Sequence, residues 1–182
     1  MHARDPRPLL TLPHRGYRRY ETIRRVKRAY VTKRSKRILA VASGGGHWVQ
    51  LLRLRPAFEN FEVTYVSRDP SSCQDVTNAR FFTIGDASRS QKLAFFGVIL
   101  KAFWILLRTR PAVIITTGAA PGLVILALGK TLFGAKTIWV DSIANVEKLS
   151  GSGVLAARFA DLRLTQWPDL ASDDVEHWGA VL

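Results

Sequence analysis

Cysteine, acidic residues and long apolar runs are scarce in this chain. One cysteine, Cys73, stands among 182 residues, which excludes an internal disulfide framework and any cysteine-rich zinc site. Fourteen Asp and Glu face 27 Lys and Arg, for a formal net charge of +13 at pH 7. The shortage of acid is local. Residues 1–37 hold 13 basic residues against Asp5 and Glu21, and the residues beyond hold 14 basic and 12 acidic ones. The body is an ordinary globular domain in its charge balance, and the high isoelectric point belongs to an arm. The opening M-H-A-R-D-P-R-P has no apolar core of signal-peptide length, which argues against export. Ala112 to Gly129 carries no charge, yet Thr116-Thr117-Gly118 and Pro121-Gly122 break it in the middle. A lipid-exposed break would strand backbone polar groups, so the stretch reads as strand, turn and helix.

What is present is organised around Arg37–Leu54, R-I-L-A-V-A-S-G-G-G-H-W-V-Q-L-L-R-L. Ile38–Ala42 is a nearly continuous apolar run, which suits a strand covered on both faces. Ser43-Gly44-Gly45-Gly46 then turns the backbone without a Cβ in the way, so successive N–H groups can converge on one ligand. A helix is expected from His47, with Val49, Leu52 and Phe58 on one side and Gln50 and Arg53 on another. Strand, glycine turn and helix build an anion site at the carboxyl edge of an α/β sheet. The dinucleotide fingerprint fails because Val49 stands where its third glycine belongs, and the P-loop pattern is absent. The bland reading is a tight turn with His47 as an ordinary helix-start residue.

Along the chain, 1–36 reads as a basic arm and 37–182 as one Rossmann-like domain. Within the arm, Tyr17–Lys33 has Tyr20, Ile23, Val26 and Tyr30 at helical spacing among arginines and lysines. That pattern suits a basic amphipathic helix on a membrane surface or nucleic acid, or else a solvated tail. Phe61–Ser67 alternates at period two and Phe81–Ile84 makes a third strand, with a polar loop over Arg68–Arg80 between them. Gln91–Arg108 is greasy on nearly all sides, with Lys101 inside it and Arg89, Lys92, Arg108 and Arg110 at its flanks. It reads as a helix in the membrane interface, or as one sandwiched between sheet and partner. Then come a strand over Val113–Thr116, a second glycine turn over Gly118–Gly122, and a helix over Pro121–Phe133. A strand over Lys136–Val140, a short helix over Gly153–Phe159 and a strand over Leu162–Gln166 follow. Strands alternating with helices predict a doubly wound, mainly parallel α/β sheet. The end, H-W-G-A-V-L, reads as an apolar strand or docking tail, or as a segment packed on its own domain.

Three segments are expected at one edge of that sheet: Ser43–His47, Thr117–Gly122 and Asp141–Asn145. Two glycine turns leading into helices would offer N–H groups to a polyanion such as a diphosphate, with His47 as a base and Asp141 as a carboxylate beside it. One His and one Asp from separate segments are too few ligands for a metal.

The motifs A-S-G-G-G-H-W-V-Q-L, T-T-G-A-A-P-G, I-W-V-D-S-I-A-N-V and A-D-L-R-L-T-Q-W-P-D-L resemble those of the membrane-anchoring subunit of two-component glycosyltransferases. The eukaryotic member belongs to the dolichol-linked N-acetylglucosaminyltransferase, and bacterial members serve capsule and exopolysaccharide assembly. More distantly, the same segments are similar to the N-terminal half of the single-chain peptidoglycan enzyme that adds N-acetylglucosamine to a lipid-diphosphate sugar. The resemblance covers about residues 37–182 and not the arm. It implies the N-terminal, acceptor half of a GT-B fold, in which Ser43, Gly44, Gly45, Gly46, Thr117, Gly118, Gly122, Ser142 and Asn145 face a polyprenyl-diphosphate-sugar acceptor. His47 and Asp141 would carry the chemistry. It implies no cofactor or metal in this chain, because the UDP-sugar would be held by a small donor-half partner. One domain fits in 182 residues, which sharpens the expectation of that partner. Attachment is expected at the cytoplasmic face of the membrane without spanning it. Competing readings are a nucleic-acid-binding protein, prompted by the arm and opposed by a body with no basic surplus, and a nucleotide-cofactor Rossmann enzyme, opposed by Val49.

Overall fold

The β-branched and aliphatic runs that alternate with the helical stretches form one parallel sheet. The computed structural model describes residues 37–85 and 92–181. The basic arm and its expected helix over Tyr17–Lys33 lie outside the described residues, as does Arg89. The strands are β1 (Arg37–Val41), β2 (Glu62–Ser67), β3 (Arg80–Thr83), β4 (Val113–Thr116), β5 (Lys136–Val140), β6 (Leu162–Thr165) and β7 (Glu176–His177). The helices are α1 (Gly45–Arg53), α2 (Lys92–Thr109), α3 (Ala120–Phe133) and α4 (Gly151–Ala156). The sheet order is β3-β2-β1-β4-β5-β6-β7, and every strand pair is parallel. From β1 near the centre the path therefore steps outward to β3, crosses back and steps outward the other way. The reversal falls between β1 and β4, where an open α/β sheet leaves a crevice at its carboxyl edge.

Period-two alternation sorts the side chains between the two faces. Leu39, Val41, Val66 and Ile114 meet Val98, Ala102, Ile105 and Leu106 of α2 and Ile125 of α3. On the other face, Trp48 of α1 stands edge-on to Tyr65 and Phe81, at ring distances of 5.9 and 6.1 Å. Burial raises the Tyr65 phenol above its ordinary value, against the opposing pull of Arg55. At the amino edge, Asp161 accepts from Lys130 and from the Thr137 N–H at 2.9 Å, which ties the start of β6 to β5. Burial alone would raise the Asp161 carboxyl, but the Lys130 and Thr137 donors outweigh it and hold it below its ordinary value.

Three expectations are corrected by this packing. Helix α1 starts at Gly45, two residues before His47, and it buries Trp48, Gln50 and Leu51 while Val49 is 47% exposed. Hydropathy ranks Val49 above Gln50, but a buried amide with partners for both ends loses little. The polar stretch Arg68–Arg80 contains a 3₁₀ segment, Pro70–Val76, capped by Asp69. Helix α4 occupies Gly151–Ala156 because the Ser150 hydroxyl accepts the Gly153 N–H at 2.9 Å and sets the start there.

The greasy helix is divided between two faces. One face of α2 is in the core, and the other leaves Phe96, Leu100, Phe103, Trp104 and Leu107 exposed. Among the described residues, no helix is long and apolar enough to cross a membrane. The end of the chain is tied to its own domain at Val181, whose N–H donates to Gln166 Oε1 at 3.0 Å and whose carbonyl accepts from Arg53 at 3.2 Å.

Candidate functional site

The carboxyl edge gathers the three expected segments. After β1, the turn at Ser43–Gly46 requires backbone that L residues avoid: Gly44 has φ +128° and Gly45 φ +53°. After β4, Gly118 has φ +131° and Ala119 φ +67°. Gly44 and Ala119 are the N-caps of α1 and α3, with ψ near 180° in both, and neither helix has a side-chain cap. Ala119 thus holds a conformation that is nearly glycine-only, a strain of about 1–3 kcal/mol that the surroundings must enforce. Two uncapped helix starts leave first-turn N–H groups and the positive ends of two helix dipoles directed at the crevice. The third helix at this edge, α4, is capped by Ser150 and does not share that character.

His47 joins the two turns. Its Nδ1 lies 2.8 Å from the Thr117 carbonyl oxygen. A carbonyl can only accept, so Nδ1 carries a proton, and in the neutral form of the ring the lone pair is on Nε2. The Thr117 hydroxyl donates to the His47 carbonyl at 2.7 Å, which closes a reciprocal pair. The ring packs flush on Gly118, where a Cβ would stand 2.7 Å from His47 Cε1. The half-buried imidazole is thus held through Nδ1 at the meeting of the two turns. The rim beside the first turn is Asp69, whose Cβ lies 3.6 Å from the place of a Gly44 side chain. Bonds from the Ser71 hydroxyl and N–H hold the Asp69 carboxyl below its ordinary value.

The structure does not bring Asp141 to His47. Strand β4 intervenes, and neighbouring strands lie about 4.8 Å apart. Asp141 is 2% exposed. Its Oδ1 accepts from the Ser150 hydroxyl at 2.6 Å and Trp139 Nε1 at 3.2 Å, and its Oδ2 from the Ser150 N–H at 2.8 Å and Asn145 Nδ2 at 3.4 Å. A carboxylate so occupied holds the loop 142–150 in shape. Asn145 serves that loop as well. Gly122 is likewise a packing residue: it is buried against Thr116, whose Oγ1 occupies the space a Cβ would need. Ser142 is buried and accepts from the Ala144 N–H at 3.3 Å. Of the expected set, Ser43, Gly44, Gly45, Gly46, His47, Thr117 and Gly118 are brought together at the switch point.

Sequence reasoning missed the glutamines. Gln166 Nε2 donates to Gln50 Oε1 at 3.1 Å and to the Asp141 carbonyl at 2.9 Å, while Gln50 Nε2 reaches Ser142 Oγ at 3.4 Å. This buried pair links α1 to the ends of β5 and β6. The available signal was a glutamine in each of two apolar stretches, W-V-Q-L and L-T-Q-W.

A seven-stranded parallel sheet with that order and a crevice at its switch point is the Rossmann-like half of a GT-B fold. Solved structures agree on the fold. The chain superposes on MurG of Acinetobacter baumannii with a TM-score of 0.63 and 12% identity, covering 80% of this chain and 46% of that one. It superposes on UDP-N-acetylglucosamine 2-epimerase of Rickettsia bellii with a TM-score of 0.59 and 9% identity, covering 80% and 45%. The chain belongs to the family described as "Oligosaccharide biosynthesis protein Alg14 like", which matches residues 17–181. Among curated relatives, it is 31% identical over 125 residues to the UDP-N-acetylglucosamine transferase subunit ALG14 of Candida albicans, which is 65% of this chain and 57% of that protein. It is 39% identical over 70 residues to the protein of the same name from Eremothecium gossypii, 36% of this chain and 31% of that protein. The chain thus spans little more than half the length, or less, of the curated relatives it matches.

Proposed function

We propose that this chain is a non-autonomous subunit of a UDP-sugar-dependent glycosyltransferase, binding a polyprenyl-diphosphate-linked sugar acceptor at the cytoplasmic face of a membrane. The observation that carries the reading is the pair of uncapped helix starts joined by His47 across the switch point. The diphosphate of the acceptor sits on the N–H groups of the two turns, where backbone donors and helix dipoles favour negative charge. Sugar transfer requires loss of a proton from the attacking hydroxyl, and His47 Nε2 is a group of this edge that can take it. The donor-binding half comes from a small GT-B partner chain that meets the same carboxyl edge. The GT-B fold needs a second half to complete its cleft, and the curated relatives are themselves named as subunits.

The test is a reconstitution. The purified chain binds a short-chain polyprenyl-diphosphate sugar but does not turn over a UDP-sugar, and turnover appears on co-expression with a donor-half partner. Turnover by the chain alone would overturn the subunit reading. A chain that binds no lipid diphosphate would overturn the acceptor reading.

A further inference from the structure

One carboxylate at the rim of the switch point has no place in the chemistry proposed above. Asp69 follows β2, is exposed, and has its Cβ 3.6 Å from the place of a Gly44 side chain. Glycine at position 44 leaves that flank of the first turn bare, so the carboxylate stands within one side-chain length of it. The segment that carries Asp69 is stitched to the same turn, because the Arg68 N–H donates to the Ser43 carbonyl at 3.2 Å.

Three serines hold the carboxylate. Ser71 donates its hydroxyl and its N–H to Asp69 Oδ1, at 2.8 and 2.9 Å. The Asp69 N–H donates to the Ser67 hydroxyl at 3.2 Å, and that hydroxyl shares a hydrogen bond of 3.2 Å with Ser72, both serines being buried. Among the described residues, no donor reaches Oδ2. Capping the 3₁₀ segment Pro70–Val76 takes one short polar acceptor, which serine or asparagine would supply as well. The cap therefore accounts for Oδ1 and leaves the negative charge and the second oxygen unexplained.

The chemistry of the acceptor says what that oxygen meets. In a polyprenyl-diphosphate sugar, the diphosphate is bonded to the sugar on one side and to the lipid on the other. A group one side chain from the diphosphate site meets a phosphate, a hydrocarbon or a sugar hydroxyl. An ionised carboxylate only accepts hydrogen bonds, so it repels the phosphate and gains nothing from the hydrocarbon. Sugar hydroxyls donate, and their bonds to a carboxylate are among the strong ones. A single carboxylate is too few ligands for a divalent cation, and among the described residues no group of three ligating side chains could hold one.

We infer that Asp69 Oδ2 accepts a hydroxyl of the acceptor's first sugar and so selects a glycosylated lipid diphosphate over a bare one. The inference rests on the acceptor reading above and deepens it by naming the group that tells the two lipids apart.

The experiment measures binding of the full chain to farnesyl diphosphate, and to farnesyl diphosphate carrying glucose, galactose or N-acetylglucosamine, with magnesium and with EDTA. Wild-type protein prefers at least one glycosylated ligand to the bare one. D69N and D69S keep an acceptor for the cap and remove the charge. Each weakens binding of the preferred glycosylated ligand by about tenfold. Each strengthens binding of bare farnesyl diphosphate by roughly threefold at low salt, because a like charge is gone. The two effects have opposite signs, which a loosened loop would not produce. Variants that leave the preference unchanged, or that weaken all ligands equally, would overturn the inference. So would wild-type protein that binds bare and glycosylated ligands alike, or a preference that EDTA abolishes, which would make Asp69 a cation ligand. Wild-type protein that binds none of the four ligands would instead overturn the acceptor reading itself, and the inference with it.

Discussion

The two glycine turns at the switch point look alike in sequence and use their glycines for opposite purposes. In the first, a Cβ added at Gly45 or Gly46 would meet nothing within 4 Å. In the second, a Cβ at Gly118 would strike the His47 ring, and one at Gly122 would strike Thr116. The first turn is glycine-rich because Gly44 and Gly45 hold positive φ, and its backbone is left open at Gly45 and Gly46. The second is glycine-rich because other side chains occupy the space. The first leaves its backbone bare to a ligand. The second holds the imidazole at a fixed height above the crevice.

The sharpest test of that comparison removes the group the second turn holds. H47A in the assembled transferase is expected to lower the rate by about 10²–10⁴-fold with little change in melting temperature. G118A is expected to match that loss, because its Cβ takes the place of the ring, and to add roughly 1–3 kcal/mol of destabilisation from its backbone angle. A rate within about tenfold of wild type for H47A would reduce His47 to a clasp between turns.

The packing claim for Gly122 predicts the next largest effect. G122A should destabilise by about 1–3 kcal/mol in urea unfolding, as overpacked cores do. In a T116A background the penalty should shrink, because the clashing hydroxyl is gone. Strict additivity of the two substitutions would break the comparison by showing that Gly122 and Thr116 do not compete for space.

The smallest effect is expected at the open turn. G46A lies in the first turn of α1 with room around it, so stability should rise slightly, by about 0.4–1 kcal/mol. Binding of a polyprenyl-diphosphate sugar should nonetheless weaken, because a methyl group now stands on the bare backbone. If binding and stability rise together, the ligand does not approach this turn.

The elements were legible because their signals are local. Ile38–Ala42 and Val113–Thr116 are apolar runs of strand length, and the glycine turns and the proline at the start of α3 mark where each strand gives way to a helix. The α1 face was misread because hydropathy cannot see a partner. Gln50 is buried with Gln166, which lies 116 residues away in sequence, and the buried Trp48 donates its indole N–H to the exposed Asp75, 27 residues away. The partners of Asp141 were hidden for a related reason. An acid after a strand shows nothing of Ser150, Trp139 and Asn145, which occupy both of its oxygens in the fold.

The sequence by itself determined the order of strands and helices, the positions of the two glycine turns and the concentration of positive charge in residues 1–37. Each is written in neighbouring residues, through periodicity, backbone freedom and local charge. Tertiary structure alone decided that His47 Nδ1 meets the Thr117 carbonyl 70 residues away, which fixes the tautomer. It alone decided that Asp141 is spent on its own loop, and which side of α2 is left bare. Those outcomes depend on which strands become neighbours, and a parallel sheet brings together segments that no local pattern connects.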